Sequence, residues 1–128
     1  MNRKLAISAT LMIVIAIVLG AFGAHGLKNV VTPEKVISYE VGVRYQIYHG
    51  LGLLIIAFQA DRFERGLSLF HGFILAGVVL FSGSIYLLAL NDLIAVDLKF
   101  LGPVTPIGGV LMIMGWGVLL RQFLKMKN

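Results

Sequence analysis

Residues 5–24 contain no Asp, Glu, Lys or Arg, and the same holds for 45–60, 67–90 and 101–120. Four uncharged runs in so short a chain constrain its fold more than any other feature. An α-helix rises about 1.5 Å per residue, so roughly 20 apolar residues cross the ~30 Å hydrocarbon core of a bilayer. The first, third and fourth runs meet that length. The second is short: its wholly apolar part is 51–58. To span, it must draw Tyr45, Gln46, Tyr48 and His49 at one end and Gln59 at the other into the interfacial zone. Of 128 residues, 59% are hydrophobic and 13% charged, with mean hydropathy +0.93. A soluble domain of this size cannot bury that much apolar surface. The expectation is an all-α, polytopic membrane protein. It is a four-transmembrane-helix bundle making one membrane domain over 1–128, with spans at about 5–24, 45–60, 67–90 and 101–120.

The first run follows "MNRK" and precedes the small residues of "GAFGAHG", which raises the question of a cleaved signal peptide. It is longer than a usual signal core and no hydrophilic domain follows, so it reads as the first span. Between the first two spans, Thr32 is a good N-cap, Pro33 suits the first helical position and Glu34 the first turn. This predicts a short amphipathic interfacial helix over about 33–44, turning into the second span near Gly42 or Gly50. Glu40 and Arg44 are spaced i,i+4, as are Tyr45 and His49, so each pair shares a face. Pro103 and Pro106 bracket Thr105 and predict a distorted first turn in the last helix.

Eleven basic and six acidic residues give a net charge of +5. The basic residues flank the apolar runs, as headgroup anchors and topology signals do, and form no nucleic-acid surface. With the N-terminus inside, Arg3, Lys4, Arg62, Arg65, Arg121, Lys125 and Lys127 face the cytoplasm. Lys28, Lys35, Arg44 and Lys99 face outward. That asymmetry predicts a multi-pass protein of the cell (plasma) membrane with both termini cytoplasmic. Glu34, Glu40, Asp61, Glu64, Asp92 and Asp97 all fall in expected loops or flanks. No carboxylate, Lys or Arg is then left mid-span for a proton relay or ion-coupled transporter.

Small residues predict where helices pack: Ala16, Gly20 and Ala24 on the first, Gly72, Ala76 and Gly83 on the third, Gly108 and Gly115 on the fourth. Such a ridge packs the bundle or, if left over, serves self-association. The absence of Cys excludes disulfides and thiol chemistry. His25, His49 and His71 lack the i,i+3 or i,i+4 spacing of a helical metal pair, so no metal site is expected. His25 and His49 are placed at the outer face and His71 near the opposite one. No G-x-S-x-G or P-loop spacing is present, and Ser38 and Ser84 lack an evident His–acid pair. No catalytic residue and no cofactor is expected. Ser82, Ser84 and Tyr86 read as interhelical hydrogen-bonding groups. Trp116 and the four tyrosines, Tyr39, Tyr45, Tyr48 and Tyr86, suit aromatic belts at the membrane surfaces.

Read in order, "GAFGAHGL", "YQIYHGLGLL", "FSGSIYLL" and "GPVTPIGGVLMIMGW" resemble domain-of-unknown-function family 423. That family of small membrane proteins includes bacterial YgdD and YwdK, and looks related to vertebrate transmembrane protein 256. The resemblance covers nearly the whole chain and implies a four-span membrane protein. It implies no reaction, substrate or cofactor. Its motifs fall on Gly20, Gly23, His25, Gly26, Tyr45, Gln46, His49, Gly83, Ser84, Tyr86, Thr105, Pro106, Gly108, Gly109 and Trp116.

The combined expectation is a non-enzymatic membrane protein, acting as a homo-oligomer or as a subunit of a membrane-protein complex. An outer-face cluster of His25, Tyr45, Gln46, His49, Tyr86, Thr105 and Pro106 would bind membrane lipid or a partner. One alternative is a small channel or carrier for neutral or weakly charged solutes, lined by His49, Gln46, Ser84 and Thr105. Another is a quinone- or haem-linked protein using His25 and His49.

Overall fold

The computed structural model describes residues 1–63 and 66–126. Glu64, Arg65 and Lys127, counted in the charge reading, lie outside them. Four long α-helices account for most of the described chain: α1 Arg3–His25, α2 Pro33–Phe58, α3 Leu67–Ala89 and α4 Val104–Lys125. Each is long and apolar enough to cross a membrane. Short 3-10 turns at Leu27–Asn29, Ala60–Arg62, Asn91–Leu93 and Lys99–Leu101 link them, and no strand occurs among the described residues.

Local chemistry sets the helix ends. Asn2 caps α1, its Oδ1 accepting from the Leu5 amide at 3.2 Å, and the Gly26 amide closes the other end on the Phe22 carbonyl. α2 starts at Pro33 behind Thr32, as expected. The Thr32 hydroxyl makes no capping bond, however; its carbonyl accepts from the Lys35 and Val36 amides instead. Gly66 precedes α3 with φ of 91°, a left-handed conformation that favours glycine. Pro103 occupies the cap position of α4 and leaves Pro106 in its first turn, where a missing amide costs no helical bond.

The expected break between two helices before the second span is overturned. The stretch 33–44 is not a separate interfacial helix: α2 runs unbroken through Gly42 and Gly50 to Phe58. Both glycines sit where a neighbouring helix comes close. A Cβ on Gly42 would meet the Tyr86 ring at 2.9 Å, and one on Gly50 the Ile13 side chain at 2.9 Å. They permit close packing, and no turn occurs at either.

α2 packs against both α1 and α3, and α3 packs along α4. One buried cluster joins Leu5, Ala9, Met12, Leu53, Phe70, Ile74, Met112 and Leu119; a second, further toward the start of α2, joins Ala16, Leu27, Tyr39, Val43 and Ala89. Large apolar side chains also cover the outside: Val18 is 63% exposed, Val79 61% and Ile113 72%. A bundle apolar inside and out has lipid as its solvent.

The α3–α4 contact is the closest. A Cβ on Gly77 would strike the Gly108 carbonyl at 2.9 Å, and one on Gly108 would run into the Phe81 backbone. Gly115 lies against Ile74, and on α1 Ala16 is fully buried while Gly20 abuts Val43. The stripe expected on α3 does not pack within the bundle. Gly72 and Ala76 are exposed, and a Cβ on Gly72 or Gly83 would meet nothing within 4 Å. Ala24 is exposed as well. Helical periodicity marks a face of small residues but not which face the neighbouring helix takes.

Candidate functional site

The register between α1 and α2 sets the depth of every polar group. Tyr39 lies beside Gly23, Val43 against Gly20, Gln46 beside Met12 and Gly50 against Ala9, while the Asn2 amide reaches the Ala57 carbonyl at 2.9 Å. Gln46 and His49 are therefore level with the middle of the uncharged run 5–24. The "GAHG" end of α1 lies a few helical turns further out. The sequence placed these groups together on the outer face because it ended the second span at Tyr45. With α2 continuous from Pro33, that stretch moves inward.

Tyr39, Gly42, Gln46 and His49 recur at spacings of three and four, so they share the buried side of α2. The Gln46 amide Nε2 donates to the Met12 carbonyl on α1 at 2.8 Å, and its Oε1 accepts from the Tyr86 hydroxyl on α3 at 2.8 Å. Ser82 Oγ donates to the Gly42 carbonyl at 2.7 Å, and the Tyr39 hydroxyl to the Leu19 carbonyl at 2.8 Å. These bonds tie α2 to α1 on one side and α3 on the other. Interhelical bonds of this kind are worth roughly 0.6–2 kcal/mol each in a membrane. No buried side-chain nitrogen or oxygen among the described residues lacks a partner.

His49 Nδ1 lies 2.7 Å from the Tyr45 carbonyl. A carbonyl only accepts, so that nitrogen carries the proton. The ring faces Trp116, centroids 6.0 Å apart, and Trp116 also packs edge-on against Phe70 at 5.4 Å. Tyr45 is exposed and leans on Phe81 at 4.9 Å. Thr105 pairs with Ser84 at 2.6 Å across the α3–α4 contact, and Pro106 is exposed. His25 is exposed at the end of α1, where its carbonyl accepts from Asn29 Nδ2 at 2.9 Å. His71 Nε2 meets Ser8 Oγ at 2.7 Å and joins α3 to α1.

Of the seven residues expected to form one cluster, Gln46 and Tyr86 bond directly. Tyr45 and His49 share a turn beside them. Thr105 serves a different helix pair, and His25 and Pro106 stand apart. Tyr39 and Tyr86, expected in an aromatic belt, lie in the bundle with ring centroids 5.0 Å apart. Sequence reasoning missed Tyr39 and the Gly42 carbonyl. The three-four spacing through Tyr39, Gly42, Gln46 and His49 was the signal that would have found them.

The opposite side of α2 carries the second polar feature. Ile37, Glu40, Arg44, Tyr48, Leu51, Ile55 and Phe58 form an exposed stripe. Arg44 Nη2 lies 3.6 Å from Glu40 Oε2, with side chains 55% and 52% exposed. Arg44 is level with the part of α1 between Met12 and Gly20, within the uncharged run. Glu40 and Arg44, expected in a flank before the second span, lie instead inside α2, a single helix long and apolar enough to span. The charges at 40 and 44 looked like a span boundary, whereas the helix carrying them continues on both sides. A groove of about 190 Å³ beside the pair is lined by Gly20, Tyr39, Glu40, Val43 and Arg44.

This fold and its polar seam define a four-span α-helical membrane protein. The chain belongs to the family described as "Protein of unknown function (DUF423)", whose model matches residues 19–109. It is similar to a UPF0382 membrane protein of Staphylococcus epidermidis, 42% identical over 106 residues and 83% of each chain. It is also similar to UPF0382 membrane protein YwdK of Bacillus subtilis, 41% identical over 104 residues and 80% of each. A third relative is a UPF0382 membrane protein of Staphylococcus aureus, 43% identical over 101 residues and 79% of each. The family resemblance read from the motifs therefore holds. No solved structure matches the chain.

Proposed function

We propose that the chain is a non-enzymatic interaction subunit of the cell membrane, with both termini cytoplasmic, that works by docking a membrane-protein partner on the exposed face of α2. Lipid solvates the remaining apolar surface. One observation carries this reading: the exposed Glu40–Arg44 pair sits on the outward face of α2, within a helix long and apolar enough to span. The interior offers a poor alternative, because its polar groups are taken up by bonds between helices. Basic residues at the expected inner ends, Arg3, Lys4, Arg62, Arg121 and Lys125 among the described ones, support the orientation.

Photo-crosslinking side chains placed at Tyr48 and, as a control, at Ile113 on α4 test the reading in native membranes. Discrete protein adducts from Tyr48 and only diffuse lipid adducts from Ile113 are expected. Identical lipid adducts from both positions would sink it.

A further inference from the structure

We infer that the connection between α3 and α4 is a lipid anchor: its apolar tip, residues 93–96, dips into the headgroup layer and the top of the acyl chains of the adjoining leaflet. The partner is phospholipid. This goes beyond the docking reading of α2, and neither depends on the other.

The connection is longer than its task requires. Helices packed along one another as α3 and α4 are need only about 2–8 residues between them. Residues 90–103 make a longer path, and the surplus closes on itself. Asn91 Oδ1 accepts from the Leu98 amide at 2.7 Å, and Asp97 Oδ1 accepts from the Lys99 amide at 3.0 Å. That closure presents Leu93, Ile94, Ala95 and Val96, all exposed. Leu93 is 52% exposed and Val96 59%, close to the 63% of Val18 and 61% of Val79 on the spans. Side chains this apolar gain by leaving water.

The place where the loop leaves the bundle supplies lipid. Ala89, the last residue of α3, is buried with Leu27 and Tyr39, and Tyr39 lies beside Gly23. Lys35, in the first turn of α2, pairs with Asp92. The loop therefore departs level with the end of the uncharged run 5–24 of α1, where a span of that length meets the headgroups. Its polar groups set a shallow depth. Asp92 is paired and Asp97 bonds an amide, whereas the amides of Ala95, Val96 and Asp97 make no bond among the described residues. Headgroup oxygens and interfacial water accept from such amides; hydrocarbon does not.

Composition selects lipid over a protein partner. Protein contacts draw on Trp, Tyr and Arg anchors, and Leu and Val are under-represented in them. The tip holds only Leu, Ile, Ala and Val, with Lys99 close by in the chain to meet phosphate. Aliphatic side chains beside a basic residue suit an interfacial segment.

The test uses the full chain, which has no native cysteine, reconstituted alone into phosphatidylcholine vesicles. An environment-sensitive fluorophore is attached at Val96→Cys. Ile113→Cys serves as the lipid-facing reference and Lys28→Cys as the polar one. Phosphatidylcholine brominated near the top of the acyl chain should quench the Val96 label several-fold more than the Lys28 label, and aqueous iodide should quench it less. Adding Ile94→Glu at the exposed tip should bring the Val96 signal down to that of Lys28. Asn91→Ala, which removes the closing bond, should lower it in part.

A Val96 label quenched by iodide and not by brominated lipid would overturn the anchor, because the tip would then stand in water. A label shielded from both would overturn it as well, since protein would then cover the tip. Quenching that Ile94→Glu leaves unchanged would likewise contradict it. None of these outcomes bears on the Tyr48 photo-adducts, so the two readings fail separately.

Discussion

At the scale of single residues, Gln46 shows how a polar side chain is accommodated in an apolar bundle. Both ends of its amide are used, one on the Met12 carbonyl and one on the Tyr86 hydroxyl. Gln46→Ala removes both bonds and leaves the Tyr86 hydroxyl without this acceptor, so a loss of about 1–3 kcal/mol is expected. Tyr39→Phe removes one bond to the Leu19 carbonyl, which keeps its place within α1, and should cost about 0.5–1.5 kcal/mol. His25→Ala, at an exposed helix end, should stay within about 0.5 kcal/mol. Reversible unfolding in mixed detergent micelles would rank the three, and a His25 effect as large as that of Gln46 would contradict the assignment. Sequence made these residue types conspicuous. It could not say that their partners are backbone carbonyls of other helices, because a carbonyl has no letter in the sequence.

At the scale of the helix, glycine acts by position. Gly108 lies on the α3 backbone, so Gly108→Ala forces the helices apart and should destabilise by about 1–3 kcal/mol. Gly72→Ala and Gly83→Ala meet open space on a helical backbone and should instead stabilise by about 0.4–1 kcal/mol. Thermal melting in one detergent would show the opposite signs, and equal losses at all three would refute the packing register. The stripe at Gly72, Ala76 and Gly83 was the more regular pattern in the sequence, yet Gly77 makes the contact. Small-residue spacing carries no information about which side of a helix its neighbour occupies. The break expected between an interfacial helix and the second span has a related cause. Local hydropathy drops at Glu40 and Arg44, but helix continuity depends on backbone bonds, and nothing between Pro33 and Phe58 interrupts them.

At the scale of the whole molecule, the four spans were legible because lipid-exposed and buried positions are both apolar, leaving long uncharged runs along the helices. Depth was not legible, since it emerges from how antiparallel helices slide against each other. The depth that follows from a single continuous α2 sets the Glu40–Arg44 pair beside the uncharged run of α1. Nitroxide labels at Ile37, Val41, Tyr48, Leu51 and Phe58 measure it directly, through the ratio of oxygen accessibility to that of a water-soluble nickel complex. The account predicts that the ratio climbs steadily from Ile37 through Val41, peaks around Tyr48 and falls again toward Phe58. A uniformly shallow reading at Ile37 and Val41, followed by an abrupt step beyond Arg44, would show a helix lying on the surface and would contradict it.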